Sequence, residues 1–239
     1  MAMAVSMRVF FLTPWPPGIL LTDQSVSFVS TKPDTTTMAQ RNTKKQAIID
    51  HATLLFADRG FSAASMNDVA AQAEVASASI FYHFKTKEDL YIAVLENAKD
   101  GILREFSEYL AGAAFDNGLE KLLAAVSFHL HLSETRRYWF LLLQHPFTHE
   151  LAATSAVCRA HLHDIYSCLL NILEDALKQG REDGSIRDTP VNKTALIILA
   201  AIDGLRQLEQ HHLYAASSLF TELLELCRHM LSPQPNQTP

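Results

Sequence analysis

Cysteine, glycine and long apolar runs are scarce in this sequence, and each shortage closes off a class of protein. Three cysteines in 239 residues, Cys158, Cys168 and Cys227, are too few for a disulfide-stapled scaffold. Their odd number points to a reducing compartment. Eight glycines and nine prolines exclude collagen-like and low-complexity chains. No stretch approaches eighteen consecutive apolar residues, so no transmembrane helix is expected and the chain reads as cytoplasmic. Neither Cys-x-x-Cys nor His-Glu-x-x-His occurs, so neither metal nor cofactor is expected. There is no Gly-x-Ser-x-Gly elbow or recognised nucleophilic cysteine, and no residue is assigned a catalytic role.

What is present is apolar enough for a core, at 48% hydrophobic residues. The net charge of -6 is unevenly spread. Residues 41–90 hold six basic and six acidic residues, whereas residues 91–239 hold twelve and eighteen. A neutral N-terminal module on an acidic body can still meet phosphate if its cations share one face.

Residues 1–40 differ from the rest. Arg8 and Val9–Leu12 resemble the start of a signal peptide, but the apolar run is short and Pro14-Trp15-Pro16-Pro17 cuts it. The expectation is a disordered tail or a mis-assigned start, with Met38 as the alternative first residue. A second disordered tail is expected over 232–239.

From residue 43 the pattern is helical, and the fold class is all-α. Thr43 and Gln46 fit a capping box before Ile48, Ala52, Leu55 and Phe56, with Gly60 as a stop. Ser65 with Asp68, and Thr86 with Asp89, fit two more. A long helix follows through Leu90, Val94, Ala98, Ile102 and Phe106. Further helices are expected at about 119–132, 135–145, 149–179, 190–212 and 216–231, with Pro190 as a first helical residue.

The stretch Ser65–Lys87 carries the functional signal. It reads as a short helix, a tight turn and a second short helix. Val69, Val75, Ile80 and Phe84 can close a small core. That leaves Ser77, Ala78, Ser79, Tyr82 and His83 outside, in helix-turn-helix fashion. By pattern alone, a helical hairpin that only packs is a fair alternative. Lys87, in the first turn of the next helix, opposes that helix's dipole unless a phosphate or the neighbouring Glu88 and Asp89 offset it.

These residues resemble the DNA-binding domain of the tetracycline-repressor (TetR/AcrR) family. The resemblance runs through Ile48-Ile49, Ala52–Phe56, Gly60-Phe61, Val69-Ala70, Ala73, Val75 and Ile80–Leu90. Weaker matches follow at Asp183–Arg187 and Ile202–Leu205. It implies a three-helix DNA-binding domain over 41–90, its helix-turn-helix at about 65–84. A larger helical domain for ligand binding and dimerisation would cover 91–231. The implied DNA-contacting set is Thr43, Lys44, Ser65, Ser77, Ala78, Ser79, Phe81, Tyr82, His83, Lys85 and Lys87.

Four departures stand out. Glu74 replaces the usual turn glycine, and a positive φ there would be strained. Ala76 replaces a frequent capping serine, a role that Ser77 could take one residue late. Ala78 replaces a frequent glycine. Phe81 replaces tyrosine, losing a hydroxyl while keeping a ring that can touch a thymine methyl.

The resemblance also implies a homodimer through the helices at about 190–212 and 216–231, a double-stranded palindromic operator and a small-molecule effector. It implies no membrane partner. Leu196, Leu199, Ile202, Leu205, Leu219, Leu223, Leu226 and Met230 form a stripe that suits either a dimer interface or an internal core. Phe106, Phe128, His129, Trp139, Phe140, Phe147, His161 and Tyr166 are the candidate ligand-binding residues, with Arg136 or Arg137 near for an anion. The expected function is a ligand-released repressor. The alternatives are a metal- or redox-responsive regulator on the same fold, or a helical binding protein without a DNA role. Cys158 and Cys168, ten residues apart on one helix and so about 15 Å apart, are too far to pair.

Overall fold

The computed structural model describes residues 33–210 and 219–233, with side chains from residue 43. The expectations for residues 1–32 and 234–239 lie outside the described residues. Among those described, helices account for all regular structure. In chain order they are α1 (Pro33–Ala63), α2 (Met66–Gln72), α3 (Ser77–His83), α4 (Lys87–Gly112), α5 (Gly118–Thr135), α6 (Arg137–Gln144), α7 (Pro146–Thr154), α8 (Ala156–Glu182), α9 (Val191–Gln210) and α10 (Phe220–Leu231).

Two capping boxes form as the sequence predicts. Ser65 and Asp68 exchange side-chain and backbone bonds at α2, and Thr86 and Asp89 do so at α4. Each satisfies amides that a helix start leaves without partners. The box expected at Thr43 does not form: α1 begins at Pro33, so Thr43 lies inside it and part of the expected tail is helical. Gly60 breaks α1 at φ 76, a conformation that costs glycine little.

The expected helix over 149–179 is two helices. Ser155 leaves helical geometry, and its hydroxyl accepts from the Cys158 amide to start α8. A polar cap inside an apolar pattern outweighed the periodicity. His145 starts α7, its Nδ1 accepting from the Phe147 amide at 3.2 Å. Pro190 stands just ahead of α9, its carbonyl accepting from Thr194. The ends foreseen for α9 and α10 at 211–212 and 216–218 lie outside the described residues.

Ile48, Ala52, Leu55 and Phe56 of α1 meet Val69 of α2, Ile80 of α3, and Leu90 and Val94 of α4 in one buried cluster. The boundary foreseen at residue 90 falls within α4, which continues for another 22 residues to Gly112. Beyond it, α5 and α8 form the centre of the larger helical part. They approach so closely that a methyl on Gly118 would meet the backbone of Gly180. The turn after α8 ties this end together. Asp183 Oδ2 accepts from the Gly118 amide at 2.7 Å, and Ser185 Oγ from the Leu119 amide at 3.1 Å. The Arg187 amide reaches the Leu231 carbonyl at the end of α10.

Candidate nucleic-acid interface

The two short helices meet at a turn in which Glu74 has φ 52, left-handed for a residue that bears a Cβ. Val69 and Ile80 are fully buried, Phe84 nearly so, and Val75 partly. That small core holds α3 with its other side outward. Ser77 and Ala78 are exposed, Phe81 is 50% exposed and Tyr82 65%. Ser79 and His83 are half-buried beside them. Ala76 is the N-cap and offers no side-chain bond, so Ser77 is the first helical residue and not a late cap.

The other sequence-predicted contacts divide by exposure and by direction. Thr43, Lys44 and Lys85 are exposed. Lys45, which the sequence reading passed over, is also exposed, with Nζ 5.9 Å from the Phe84 ring. Ser65 is committed to Asp68: its hydroxyl donates at 2.7 Å and accepts from the amide at 3.1 Å. The hydroxyl bond, with the Ser65 amide donating to Asp68 Oδ2 at 3.0 Å, holds the Asp68 carboxyl below its usual range.

Lys87 is turned inward. Its ammonium donates to the Phe61 and Ala64 carbonyls at 2.7 and 2.9 Å and lies 4.3 Å over the Phe61 ring. The expected conflict with its own helix dipole is thus met by carbonyls at the end of α1, where a cation is favourable. Two of its three donors are used within the fold.

Phe61 also receives the larger helical part. Phe147 of α7 stacks on it with ring centroids 3.6 Å apart, and Tyr91 of α4 stands edge-on to both. The Tyr91 hydroxyl and Thr148 Oγ1 are 2.6 Å apart, and Thr148 donates to the Leu142 carbonyl. Burial pushes the Tyr91 phenol up to about 12. Phe147, expected at a ligand site, therefore belongs to the junction between α1, α4 and α7.

The remaining candidate ligand residues also separate. Phe106, Phe128, His129 and Phe140 pack on one another as core. Trp139 covers Gly101 of α4, where a methyl would strike its ring. His161 is buried with Nδ1 unpartnered, and His129 with Nε2 unpartnered. Burial, helped by the Arg206 charge, lowers the His129 pKa to about 3.

Arg206 is the residue the sequence reading missed. It is buried, pairs with Asp203 at 3.1 Å and lies 4.3 Å over the Phe140 ring. Its position one turn beyond Ile202, on the apolar stripe of α9, was the available signal. Partly buried Tyr166 has its phenol raised by burial and by Asp203, with Arg206 opposing. Arg206 and Phe140 face a cavity of about 380 Å³ with Ser133, Arg137, Gln144 and Glu209. Of the eight candidates, Phe140 is the one that lines this cavity.

The stripe on the last two helices is also divided. Leu199, Ile202 and Leu223 are buried, whereas Leu196, Ile197, Leu219, Leu226 and Met230 are 40–65% exposed. Among the described residues, no helix is long and apolar enough to cross a membrane, and no group of three or more metal-ligating side chains converges. The three cysteines are free, their thiol pKa values raised by burial.

Residues 48–94 match the family model of bacterial regulatory proteins, tetR family. The chain is 28% identical over 151 residues to the fatty acid metabolism regulator protein of Bacillus subtilis (strain 168), spanning 63% of this chain and 75% of that protein. It is 26% identical over 210 residues to the HTH-type transcriptional regulator AcrR of Shigella flexneri, covering 81% and 94%. Its fold is similar to that of a transcriptional regulator from Saccharomonospora viridis in complex with choline. The TM-score is 0.73 at 20% identity, over 81% of this chain and 100% of that one. FadR from Bacillus subtilis in complex with stearoyl-CoA aligns with a TM-score of 0.62 at 25% identity, over 77% and 98%.

Proposed function

Because this chain is a member of the tetR family of bacterial regulatory proteins, we propose that it is a homodimeric cytoplasmic repressor released from a palindromic operator by a small molecule. The observation that carries the reading is α3, held by Ile80 from beneath and open along Ser77, Ala78, Phe81 and Tyr82. In this reading α3 enters the major groove, while Thr43, Lys44, Tyr82, His83 and Lys85 hold the phosphates. Lys87 acts from behind, fixing the end of α1 against the start of α4.

Dimerisation is assigned to the exposed apolar residues of α9 and α10, centred on Ile197, Leu226 and Met230. An apolar strip of that kind suits a second copy of the same surface. The effector is assigned to the cavity beside Arg206 and Phe140, where Phe140 and Leu141 offer apolar contact and Arg137, Arg206, Glu134 and Glu209 offer charges that could orient a polar small molecule. Movement reaches α3 through α7, because Phe147 and Thr148 hold Phe61 and Tyr91. An effector shifts the population only if it binds the DNA-incompetent arrangement more tightly. Stearoyl-CoA and choline, carried by the two similar structures, are the first probes.

Footprinting of the full chain across the DNA upstream of its own gene tests the reading. The expected result is two protected half-sites centred about 34–36 Å apart, or a multiple of that spacing. Uniform protection, or none at low salt, contradicts it.

A further inference from the structure

Helix α3 (Ser77–His83) contains no arginine, lysine, asparagine, glutamine or carboxylate. The side chains that make two-point hydrogen bonds to guanine or adenine are therefore missing from the helix assigned to the groove. In their place stands an apolar strip. Ala78 is exposed, and Phe81, one turn further and on the same face, leaves half its surface in solvent. Ile80 alone anchors the helix among fully buried residues, so the Phe81 ring is not required to fill the core. Ser77, Ser79, Tyr82 and His83 supply single donors or acceptors, which discriminate bases weakly. The exposed cations Lys44, Lys45 and Lys85 lie off α3, where they can hold phosphate without reading sequence.

The apolar group that a major groove offers is the 5-methyl of thymine. We propose that Phe81 and Ala78 read the operator through thymine methyl groups, making them the specificity-determining residues of this regulator. The inference rests on the DNA-binding reading above. It predicts half-sites defined by thymines at the positions facing α3, with guanines tolerated elsewhere and not selected by α3.

The test uses the full chain. It first selects its preferred duplex from random DNA. Each thymine of that duplex is then replaced in turn by deoxyuridine, which removes only the methyl. With the unmodified protein, replacement of one or two thymines per half-site weakens binding about fourfold each, the worth of one buried methyl. With Phe81→Ala the same replacements change affinity by less than about twofold. Phe81→Tyr, which keeps the ring, retains the effect. A selected duplex whose affinity for the unmodified protein is indifferent to every replacement overturns the proposal and leaves DNA binding intact. So does a half-site with no thymine. Failure to select any sequence overturns the DNA-binding reading, and this inference with it.

Discussion

Phe147 lies face to face on Phe61, centroids 3.6 Å apart and planes 8° from parallel, joining α7 to the end of α1. Tyr91 contacts both rings, so the junction is a packed aromatic unit and not a hinge of loose chain. Phe147→Ala removes a half-buried ring from it. The expected loss is about 2 kcal/mol, below the range for fully buried phenylalanines, read by urea unfolding. An effector that weakens DNA binding in the parent should lose most of that effect in the variant. Undiminished response would place the coupling elsewhere.

The two lysines flanking Thr86 should behave differently. Lys85 is exposed, so Lys85→Ala should lower the slope of log affinity against log salt by about one. Lys87 spends its ammonium on the Phe61 and Ala64 carbonyls. Lys87→Ala should leave the slope unchanged and cost about 1.5–3 kcal/mol of stability. The reverse assignment of effects would return Lys87 to the phosphate backbone.

His129 gives the fold an acid-side weakness. Its pKa is about 3 in the folded chain against 6.5 for the free side chain. Above pH 6.5 neither state binds the extra proton, and the full stability is present. Below that, the unfolded chain takes up a proton that folded His129 refuses until about pH 3. Stability therefore falls across this window, by up to about 1.4 kcal/mol per pH unit from this group. In His129→Leu that contribution disappears, so urea midpoints at pH 7 and pH 5 should lie closer together than in the parent. Identical pH dependence would contradict the burial argument.

Ile197 and Leu226 are 65% and 54% exposed on α9 and α10. If a second copy covers them, Leu226→Glu should turn a dimer into a monomer in sedimentation velocity, because an unpaired buried carboxylate is costly. Operator affinity should fall with it. A parent that sediments as a monomer, or a variant that stays dimeric, would remove these helices from the interface.

The sequence made the DNA-binding part legible because its signals are local. Ser65-x-x-Asp68 and Thr86-x-x-Asp89 are complete capping devices within four residues, and Ile80 and Phe84 lie at helical spacing. The positive φ at Glu74 was likewise foreseeable where glycine is usual. Long-range partners were not legible. Nothing near Lys87 announces carbonyls 26 and 23 residues away. Phe147 and Phe140 are equally apolar in sequence, yet one joins the α1 end and the other faces the Arg206 cavity. Arg206 itself sits on an apolar stripe, where a charge needs a partner. Asp203, three residues earlier, supplied one that was in view.

The most direct measurement is a titration of the full chain against DNA from its own upstream region, at two salt concentrations and with competitor DNA. The account predicts saturable binding that survives competitor and weakens steeply with salt, as phosphate contacts require. Absence of binding to any DNA at low salt would contradict it, and would reduce α2 and α3 to a hairpin that only packs.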